Sequence, residues 1–523
     1  MTIMGTEKRV RSTLRQPYKS ALLDPFSTSR FYAAASASSN VATEKKGIAS
    51  TLGTDTLGQP TAWTHPHLIN AGELVPGITV EEFQQRRIRL MTGIQKFARD
   101  GLKNDKDVNK HLVIIPSASK KYMSDKIPYV FRQNSDFYYL TGCLEPDTVL
   151  VMFVNEKGVT QSTLFMRPKD RHAELWDGPR TGVDNALELF GVDEAYAIDE
   201  FHSELNRRIG SEKPRIWYDG SHSDQSKVTE NLRSIAGTVS TLNPPANFIQ
   251  SMRLYKSPAE QNLMRRTCQI ASESINEVMR ESRPGNSEHH INAMVDYKCR
   301  MRNASFLAYP PVVASGNNAT TIHYINNTQL TKSGDLVLMD AGCEYAGYTS
   351  DITRTWPVNG LFTEPQKVLY DIVHQLQADL IGILMHEGGE TLDKLFETMC
   401  TKLGKYLQEV CLVPKDLTND RAGYKFCPHH VSHYLGMDVH DTPLMPRTLR
   451  LLPGIVCTVE PGIYIGQDFM DVPKEFRGIG VRIEDDVLIT ANNKVEVLTE
   501  KCFKQRSVLE NLFKEKPIFK FKP

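Results

Sequence analysis

The sequence predicts an α+β protein in which two folded units follow a non-globular N-terminal segment. Three observations support this prediction. The chain of 523 residues is too long for a single hydrophobic core of ordinary size. Up to about residue 251, short apolar runs alternate with helix-length segments, which is typical of an α/β domain. A strong helix start at Ser257 then opens a second region, in which helical patterns are mixed with strand-and-turn sequence.

The N-terminal segment, residues 1–57, has the composition of a mitochondrial transit peptide followed by a linker. Its first 40 residues contain six Lys or Arg but only two acidic residues, and they are rich in Ser, Thr and Ala. Basic, acid-poor, Ser-rich sequence of this kind is typical of import signals. We therefore expect a mitochondrial protein, with the matrix as its compartment. A disordered tail without an address is the alternative.

Residues 58–253 are predicted to form the first folded unit, a smaller α/β domain. The runs "HLVIIP", "TVLVMFV", "STLFM" and "RIWYDG" are short, apolar and rich in branched residues, so they predict strands. Residues 79–99 have a helical pattern of apolar positions.

Residues 254–505 are predicted to form the second unit, before a tail at 506–523. Ser257 fits an N-cap, Pro258 fits the first helical position, and Glu260 completes a capping box. The expected helices span 257–282, 287–302 and 364–385. The remainder of this unit is expected to consist of strands and turns.

Charge, hydropathy and cysteine usage narrow the function classes. With 62 basic and 62 acidic residues, the formal net charge is zero, so the chain has no excess of positive charge that would indicate nucleic-acid binding. No apolar run approaches the length expected of a membrane span. The nine cysteines are scattered and form no Cys-x-x-Cys pair, which predicts reduced thiols without a catalytic role.

Two aspartates interrupt the apolar runs of "VLMDAGCEYAGYTSDITRTWPV". The simplest local structure is a β-hairpin with its turn near Tyr345 and Ala346, and folding there brings Asp340 and Asp351 side by side. Two carboxylates in a low-dielectric sheet cost several kcal/mol unless they are protonated, paired with cations or bound to metal. The hairpin therefore predicts a positive partner between them.

Three downstream motifs supply further candidate ligands. "HHVSHYLGMDVHD" contains four histidines, "TVEPGIYI" places Glu460 after an apolar run, and "GVRIEDDVLIT" embeds Glu484 in another. Oxygen and imidazole donors without thiolate indicate a divalent ion such as manganese, cobalt or zinc. Four carboxylates suit two metals that share bridging ligands and activate a water molecule.

Longer motifs make the sequence recognisable as a family member. They include "LGQPTAWTHPHL", "DFYYLTGCLEPD", "ELWDGPRTG", "AYPPVVASGNNATTIHY", "DAGCEYAGYTSDITRTWPVNG" and "HHVSHYLGMDVHDTP". With these motifs the chain after residue 57 resembles the aminopeptidase P branch of the pita-bread metallopeptidases, and within it the mitochondrial group. The resemblance implies a C-terminal pita-bread catalytic domain preceded by an N-terminal domain of the creatinase/aminopeptidase P type.

The resemblance also implies five intact metal ligands. They are Asp340, Asp351, His433, Glu460 and Glu484. In the family pattern Asp351 and Glu484 would bridge two ions, with Asp340 on one ion and His433 and Glu460 on the other. Manganese is the expected metal, and zinc and cobalt remain open.

Four other positions match the family's substrate-handling residues. His323 would lie beside the scissile amide, and His440 would donate to a substrate carbonyl. Tyr309 would form part of the pocket wall, and Arg482 would hold a carboxylate or a proton-relay partner. Glu460 would also act as the general base. A satisfied polar group beside the metal site is the alternative for each. The remaining two histidines, 429 and 430, are expected to support His433.

The implied function is hydrolysis of the first peptide bond of peptides with proline second, and of processed mitochondrial precursors. A prolidase, a methionine aminopeptidase and a non-catalytic binding module are the alternatives. The stretch "ELWDGPRTG", with Trp176 and Arg180, is expected to wall the site mouth, supplied across a homodimer. A packed turn between domains is the alternative for this stretch.

Overall fold

The computed structural model describes most of the chain and divides it into two units. The described residues are 56–101, 110–154, 158–212, 214–220, 224–236, 243–387, 390–491 and 494–512. Contacts between residues separate a unit ending at Met252 from one beginning at Arg253. The predicted transit peptide lies outside the described residues. Each unit contains its own hydrophobic core.

The N-terminal unit combines seven helices and nine strands among its described residues. Its helices are α1 (Val80–Gly101), α2 (Ser135–Thr141), α3 (Arg171–Asp177), α4 (Gly182–Phe190), α5 (Phe201–Glu212), α6 (Ser226–Ala236) and α7 (Ala246–Leu254), the last of which runs across the boundary. Its strands are β1 (Glu73–Val75), β2 (Ile78–Thr79), β3 (His111–Pro116), β4 (Tyr122–Ser124), β5 (Ile127–Pro128), β6 (Val149–Val154), β7 (Thr160–Met166), β8 (Glu194–Ala197) and β9 (Arg215–Trp217).

A five-stranded mixed sheet in the order β8-β7-β6-β3-β9 forms the centre of this unit. The outer pairs β7/β8 and β3/β9 are parallel, whereas the inner pairs are antiparallel. All six residues of β6 are buried because this strand lies at the middle of the sheet. The four predicted strands correspond to β3, β6, β7 and β9, and the predicted helix corresponds to α1.

The C-terminal unit contains six further helices and eleven strands among its described residues. Its helices are α8 (Pro258–Glu281), α9 (Glu288–Arg300), α10 (Glu364–Glu387), α11 (Leu392–Glu409), α12 (Asn419–Phe426) and α13 (Arg506–Leu512). Its strands are β10 (Phe306–Leu307), β11 (Val312–Ser315), β12 (Leu336–Ala341), β13 (Cys343–Tyr345), β14 (Tyr348–Thr349), β15 (Ile352–Pro357), β16 (Val456–Val459), β17 (Gly462–Ile465), β18 (Ile479–Arg482), β19 (Asp485–Ile489) and β20 (Val495–Val497).

The three predicted helices of this unit are confirmed as α8, α9 and α10. The capping box at the start of α8 has both expected bonds: the Glu260 N–H donates to Ser257 Oγ at 3.2 Å, and the Ser257 N–H donates to Glu260 Oε2 at 2.8 Å. Reciprocal bonds of this kind satisfy two donors that a helix start otherwise leaves unpaired. The local sequence therefore fixed where α8 begins.

Helices α11 and α12 correct the expectation that the rest of this unit is strand and turn. Helix α11 begins after the N-cap Thr391, whose side chain accepts from the Lys394 N–H. Helix α12 has only eight residues and no side-chain cap, so its stability must come from packing. The packing is close: a Cβ on Gly404 of α11 would lie 1.9 Å from the Asn419 carbonyl oxygen.

The predicted hairpin is present and positions both aspartates. Strands β13 and β14 pair Tyr345 with Tyr348, so the turn contains Ala346 and Gly347. Both turn residues have positive φ, 51° and 83°, as the tight turns of β-hairpins require. Beyond this turn β12 pairs with β15, with Asp340 opposite Thr353.

Helix α10 meets length and composition criteria for a membrane span, which the sequence analysis did not expect of any segment. Among the described residues it is the one helix long and apolar enough, over Glu364–Met385, to cross a membrane by these criteria. Half of that stretch is buried, 50%. Core helices pass the same test, and Leu369, Val373 and Leu376 of α10 belong to the hydrophobic core of this unit.

Candidate metal centre

Asp340 and Asp351 face the same hydroxyl group. Asp340 lies near the end of β12, and Asp351 lies between β14 and β15. The Tyr309 hydroxyl is 2.5 Å from an oxygen of each carboxylate. A phenol has one hydrogen and can donate to only one carboxylate at a time. The hairpin therefore brings the two aspartates together, as predicted. The Tyr309 hydroxyl lies between them, and its predicted place in the pocket wall stays a prediction.

Arg482 connects Asp340 with two hydroxyl groups. Its Nη2 lies 2.6 Å from Asp340 Oδ2, and its Nη1 donates to the Tyr464 hydroxyl at 2.9 Å. Its Nε donates to Thr353 Oγ1 at 3.0 Å. The planar guanidinium thus holds a carboxylate and a tyrosine simultaneously, and its predicted role in a proton relay stays a prediction.

Glu484 lies between β18 and β19 and is held from β15. The Thr353 hydroxyl donates to Glu484 Oε2 at 2.7 Å, and the Glu484 N–H donates to the Thr353 carbonyl at 3.1 Å. Arg354 also donates to the Glu484 carbonyl at 2.5 Å. The backbone and side chain of Glu484 are therefore both fixed.

His433 completes a cluster of possible metal ligands. Its Nδ1 contacts the Tyr434 carbonyl at 3.1 Å, which a nitrogen can do only as a donor. Its Nε2 is then the unprotonated nitrogen of the neutral ring, and it lies 3.3 Å from Asp351 Oδ2 and 3.7 Å from Glu460 Oε1. Ligand atoms of Asp351, His433 and Glu484 all lie within 4.8 Å of one another.

Three of the four carboxylates of this cluster have raised pKa values; burial would also raise the pKa of Asp351, but His433 and Tyr309 lower it. Burial raises the pKa of Asp340 despite Arg482, and burial raises the pKa of Glu460 to about 7. Burial and then Asp351 raise the pKa of Glu484 well above its usual range. Burial alone would lower the pKa of His433, but Asp351 and Glu460 raise it to about 9. Crowded carboxylates beside an available imidazole nitrogen fit divalent metal ions.

The two other predicted histidines border this cluster. The His440 ring is exposed and lies edge-on to the His433 ring, with centroids 4.6 Å apart and an interplanar angle of 77°. His323 is also exposed, on the loop after β11. The charge of His323 contributes to lowering the pKa of His440, after burial and His433, so the two imidazoles lie within electrostatic range.

The two neighbouring histidines contact groups other than His433, so their expected support of His433 stays a prediction. His429 turns to Glu460 and Tyr464: its Nε2 lies 2.9 Å from the Tyr464 hydroxyl, and its Nδ1 lies 3.7 Å from Glu460 Oε2. His430 instead stacks on Phe396, with centroids 4.9 Å apart. Among the described residues neither imidazole forms a hydrogen bond or ion pair with His433.

The sequence reading missed Tyr464 and Asp486. Tyr464 links Arg482 to His429, as described above. Asp486 is buried, and its Oδ2 accepts from the Asp351 N–H at 3.0 Å and from Cys268 Sγ at 3.2 Å. It therefore fixes the backbone of Asp351. The second aspartate of "IEDD", buried in a strand, was the signal that could have found it.

Trp176 and Arg180 lie in the N-terminal unit. Trp176 is on α3 with 77% of its surface exposed. Arg180 follows α3, and its Nη1 donates to the Pro168 carbonyl at 3.0 Å. Their predicted place at the mouth of the site stays a prediction.

Two stretches of the chain match known families. Residues 262–491 match Metallopeptidase family M24. Residues 83–217 match the family described as Aminopeptidase P, N-terminal domain. The first match spans all the residues of the metal cluster from Asp340 to Glu484.

Full-length relatives and solved structures agree with these matches. The chain is 42% identical to Xaa-Pro aminopeptidase 3 of Homo sapiens over 87% of this chain and 90% of the relative. It is 39% identical to "Intermediate cleaving peptidase 55, mitochondrial" of Arabidopsis thaliana, over 87% of each chain. Its fold matches zinc-substituted Escherichia coli aminopeptidase P in complex with product, with a TM-score of 0.74, 34% identity, and coverage of 83% and 98% of the two chains. The chain therefore belongs to metallopeptidase family M24, in its aminopeptidase P branch, with an aminopeptidase P N-terminal domain and a C-terminal pita-bread domain.

Proposed function

We propose that this protein is an Xaa-Pro aminopeptidase with two divalent metal ions, which releases the N-terminal residue of peptides with proline second. The observation that carries the proposal is the convergence of carboxylates on His433 Nε2, the ring nitrogen that faces them because Nδ1 donates to the Tyr434 carbonyl. A scaffold that had lost catalysis would not need to keep four buried or half-buried carboxylates together.

Membership of the family implies divalent metal ions, and the proposed ligands are the five predicted ones. Asp351 and Glu484 would bridge the two ions, Asp340 would bind one, and His433 and Glu460 would bind the other. Manganese suits a site with four carboxylates and one imidazole, and it is the proposed metal. Two such ions would supply an activated water and polarise the scissile carbonyl.

The protein groups around the cluster have distinct proposed roles. Glu460 is the proposed general base, which would accept a proton from the attacking water. His323 and His440, both exposed beside the cluster, would donate to the substrate carbonyls. Arg482 and Tyr464 would orient Asp340 and His429 through their hydrogen bonds.

We expect the purified, manganese-loaded enzyme to cleave Xaa-Pro-Xaa tripeptides after the first residue. An Xaa-Pro bond is a tertiary amide without an N–H. A site that makes no hydrogen bond to the scissile N–H therefore loses no binding energy when proline is second. The measurement is kcat/KM on a matched set: Xaa-Pro-Xaa tripeptides, Xaa-Pro dipeptides, and Tyr-Ala and Met-Ala peptides of equal length.

Each alternative predicts a different order of rates in this set. Faster cleavage of the dipeptides would indicate a prolidase, and a preference for Met-Ala would indicate a methionine aminopeptidase. Equal cleavage of Tyr-Ala peptides would indicate trimming of processed precursors without a strict proline requirement. No cleavage by protein with full metal content would contradict the proposal.

We propose that residues 1 to about 40 direct import into the mitochondrial matrix. The support is their basic, acid-poor composition and the mitochondrial name of the Arabidopsis relative. A fusion of residues 1–57 to a fluorescent reporter is expected to enter the matrix. A fusion that stays diffuse in the cytosol would contradict the proposed import signal, and it would not affect the catalytic proposal.

The predicted homodimer is also a proposal, with peptide N-termini as the substrate. Large apolar side chains are exposed on the stretches 122–130 and 175–176, which an ion pair between Lys120 Nζ and Asp177 Oδ2 at 3.3 Å brings close together. Exposed apolar patches are typical of protein interfaces. The exposed residues are Tyr122 55%, Met123 55%, Ile127 53%, Tyr129 55%, Val130 74%, Leu175 80% and Trp176 77%. Sedimentation equilibrium tests this proposal, and a monomeric mass at micromolar concentration would contradict it.

A further inference from the structure

A buried carboxylate of α9 holds the loop on which His323 lies. Glu288 is the first residue of α9, and its side chain is buried. Five hydrogen bonds from the loop of residues 315–329 end on its two oxygens. Oε1 accepts from Ser315 N at 2.8 Å, Ser315 Oγ at 2.8 Å and Asn318 Nδ2 at 2.9 Å, and Oε2 accepts from Tyr324 Oη at 2.9 Å and Gln329 N at 2.9 Å.

The five donors come from both ends and from the middle of this loop. A carboxylate offers about four lone-pair positions, so Glu288 is fully occupied. Each bond is charge-assisted and therefore stronger than a bond between neutral groups. The backbone adds a sixth connection, because the Glu288 N–H donates to the Gln329 carbonyl at 2.9 Å. One side chain thus ties an irregular loop to the rigid start of a helix.

The position of His323 depends on this loop. His323 lies between Asn318 and Tyr324, two residues that donate to Glu288. Its side chain is exposed, and in the part of the chain that the structure describes no hydrogen bond or ion pair holds its imidazole. The placement of the ring is therefore set by the loop backbone and not by contacts of the ring itself.

We propose that Glu288 is a positioning residue for the aminopeptidase reaction: it fixes loop 315–329 so that the His323 imidazole stays at the metal centre. This inference rests on the proposed function. A purely structural role for Glu288, as an acidic residue at a helix start, is the competing explanation. The two explanations differ in whether the effect of Glu288 passes through His323.

A double-mutant cycle separates the two explanations. Glu288→Gln keeps the shape but replaces one acceptor oxygen by a donor that faces the loop's own donors. We expect it to lower kcat/KM about 10- to 100-fold, mainly through kcat, because a misplaced group can cost that much. In a His323→Ala background the same change is expected to lower kcat/KM by less than about threefold. Equal effects in the two backgrounds would overturn the proposal.

Glu281→Gln is the matched control for loss of a buried charge. Glu281 ends α8 and is buried, its Oε1 pairs with Lys298 Nζ at 3.0 Å, and among the described residues no hydrogen bond joins its side chain to loop 315–329. We expect this variant to lower the thermal midpoint while kcat/KM stays within about twofold of the wild type. A loss of kcat/KM as large as that of Glu288→Gln would point to general destabilisation and contradict the proposal.

Amide hydrogen exchange tests the hold on the loop without any activity assay. In the full-length, manganese-loaded protein, Glu288→Gln is expected to speed exchange in loop 315–329, and Glu281→Gln is not. Unchanged exchange in the loop would overturn the proposal. If the wild type hydrolyses none of the peptides, the proposed function fails, while the exchange result still decides whether Glu288 fixes the loop.

Discussion

Asp351→Ala is expected to abolish hydrolysis and to lower the bound metal. Asp351 is a proposed bridging ligand, and its Oδ2 lies 3.3 Å from His433 Nε2. Its removal takes away charge compensation for both ions, which water cannot replace. We expect kcat/KM to fall by more than about 10³-fold, equivalent to about 4 kcal/mol of transition-state stabilisation. Metal content is measured on the same sample.

Two further variants test the cause of this loss and the ligand assignment. Asp351→Asn keeps the size of the side chain but removes its charge, and it is expected to behave like the alanine variant if charge compensation is the cause. His440→Ala is expected to reduce turnover while metal content stays near that of the wild type, because His440 is not a proposed ligand. Full turnover of Asp351→Ala with normal metal content would disprove the two-metal site. Loss of metal in His440→Ala would show that the ligand assignment of His433 is wrong.

Gly342→Ala is expected to disrupt the same site without changing any ligand. Gly342 lies between β12 and β13, and a Cβ there would be 1.7 Å from the Ser350 carbonyl oxygen, closer than any real Cβ contact. Because the clashing atom is backbone, the two chain segments that hold Asp340 and Asp351 must move apart. We expect a loss of stability of about 3 kcal/mol or more, together with weaker metal binding.

Gly382→Ala is the control for this substitution. Gly382 is inside α10, and no atom lies within 4 Å of the position of its added Cβ. Alanine in a helix interior is favoured over glycine by about 0.5–1 kcal/mol, so stability should be unchanged or slightly higher. Thermal midpoints and metal content are compared for both variants. A Gly342→Ala protein with wild-type midpoint and metal content would contradict the close approach.

Local sequence was sufficient where a short stretch fixes its own structure. The capping box of Ser257 and Glu260 predicted the start of α8, and both of its bonds are present. The apolar runs around Asp340 and Asp351 predicted a hairpin, and its turn lies at the expected Ala346. In both cases neighbouring residues satisfy one another, so no distant contact is needed for the prediction.

Local sequence was insufficient where a partner from another element decides the structure. Helix α12 has no side-chain cap and is stabilised by packing on α11. The sequence of α12 alone does not predict this packing. The adjacent histidines 429 and 430 look equivalent in sequence, yet one contacts Tyr464 and the other Phe396. Their directions depend on which strand or helix lies on each side.

The sequence by itself determined the kinds of ligand in this protein, because carboxylates inside apolar strands are costly unless they are protonated, paired with cations or bound to metal. It also determined the hairpin that brings two of them together. Only the tertiary structure decided how these ligands are held: Tyr309 between two aspartates, Asp486 on the Asp351 backbone, and Glu288 on the loop of His323. The physical reason is that a buried charge accepts hydrogen bonds from whatever donors the fold brings within about 3 Å, regardless of their distance along the chain.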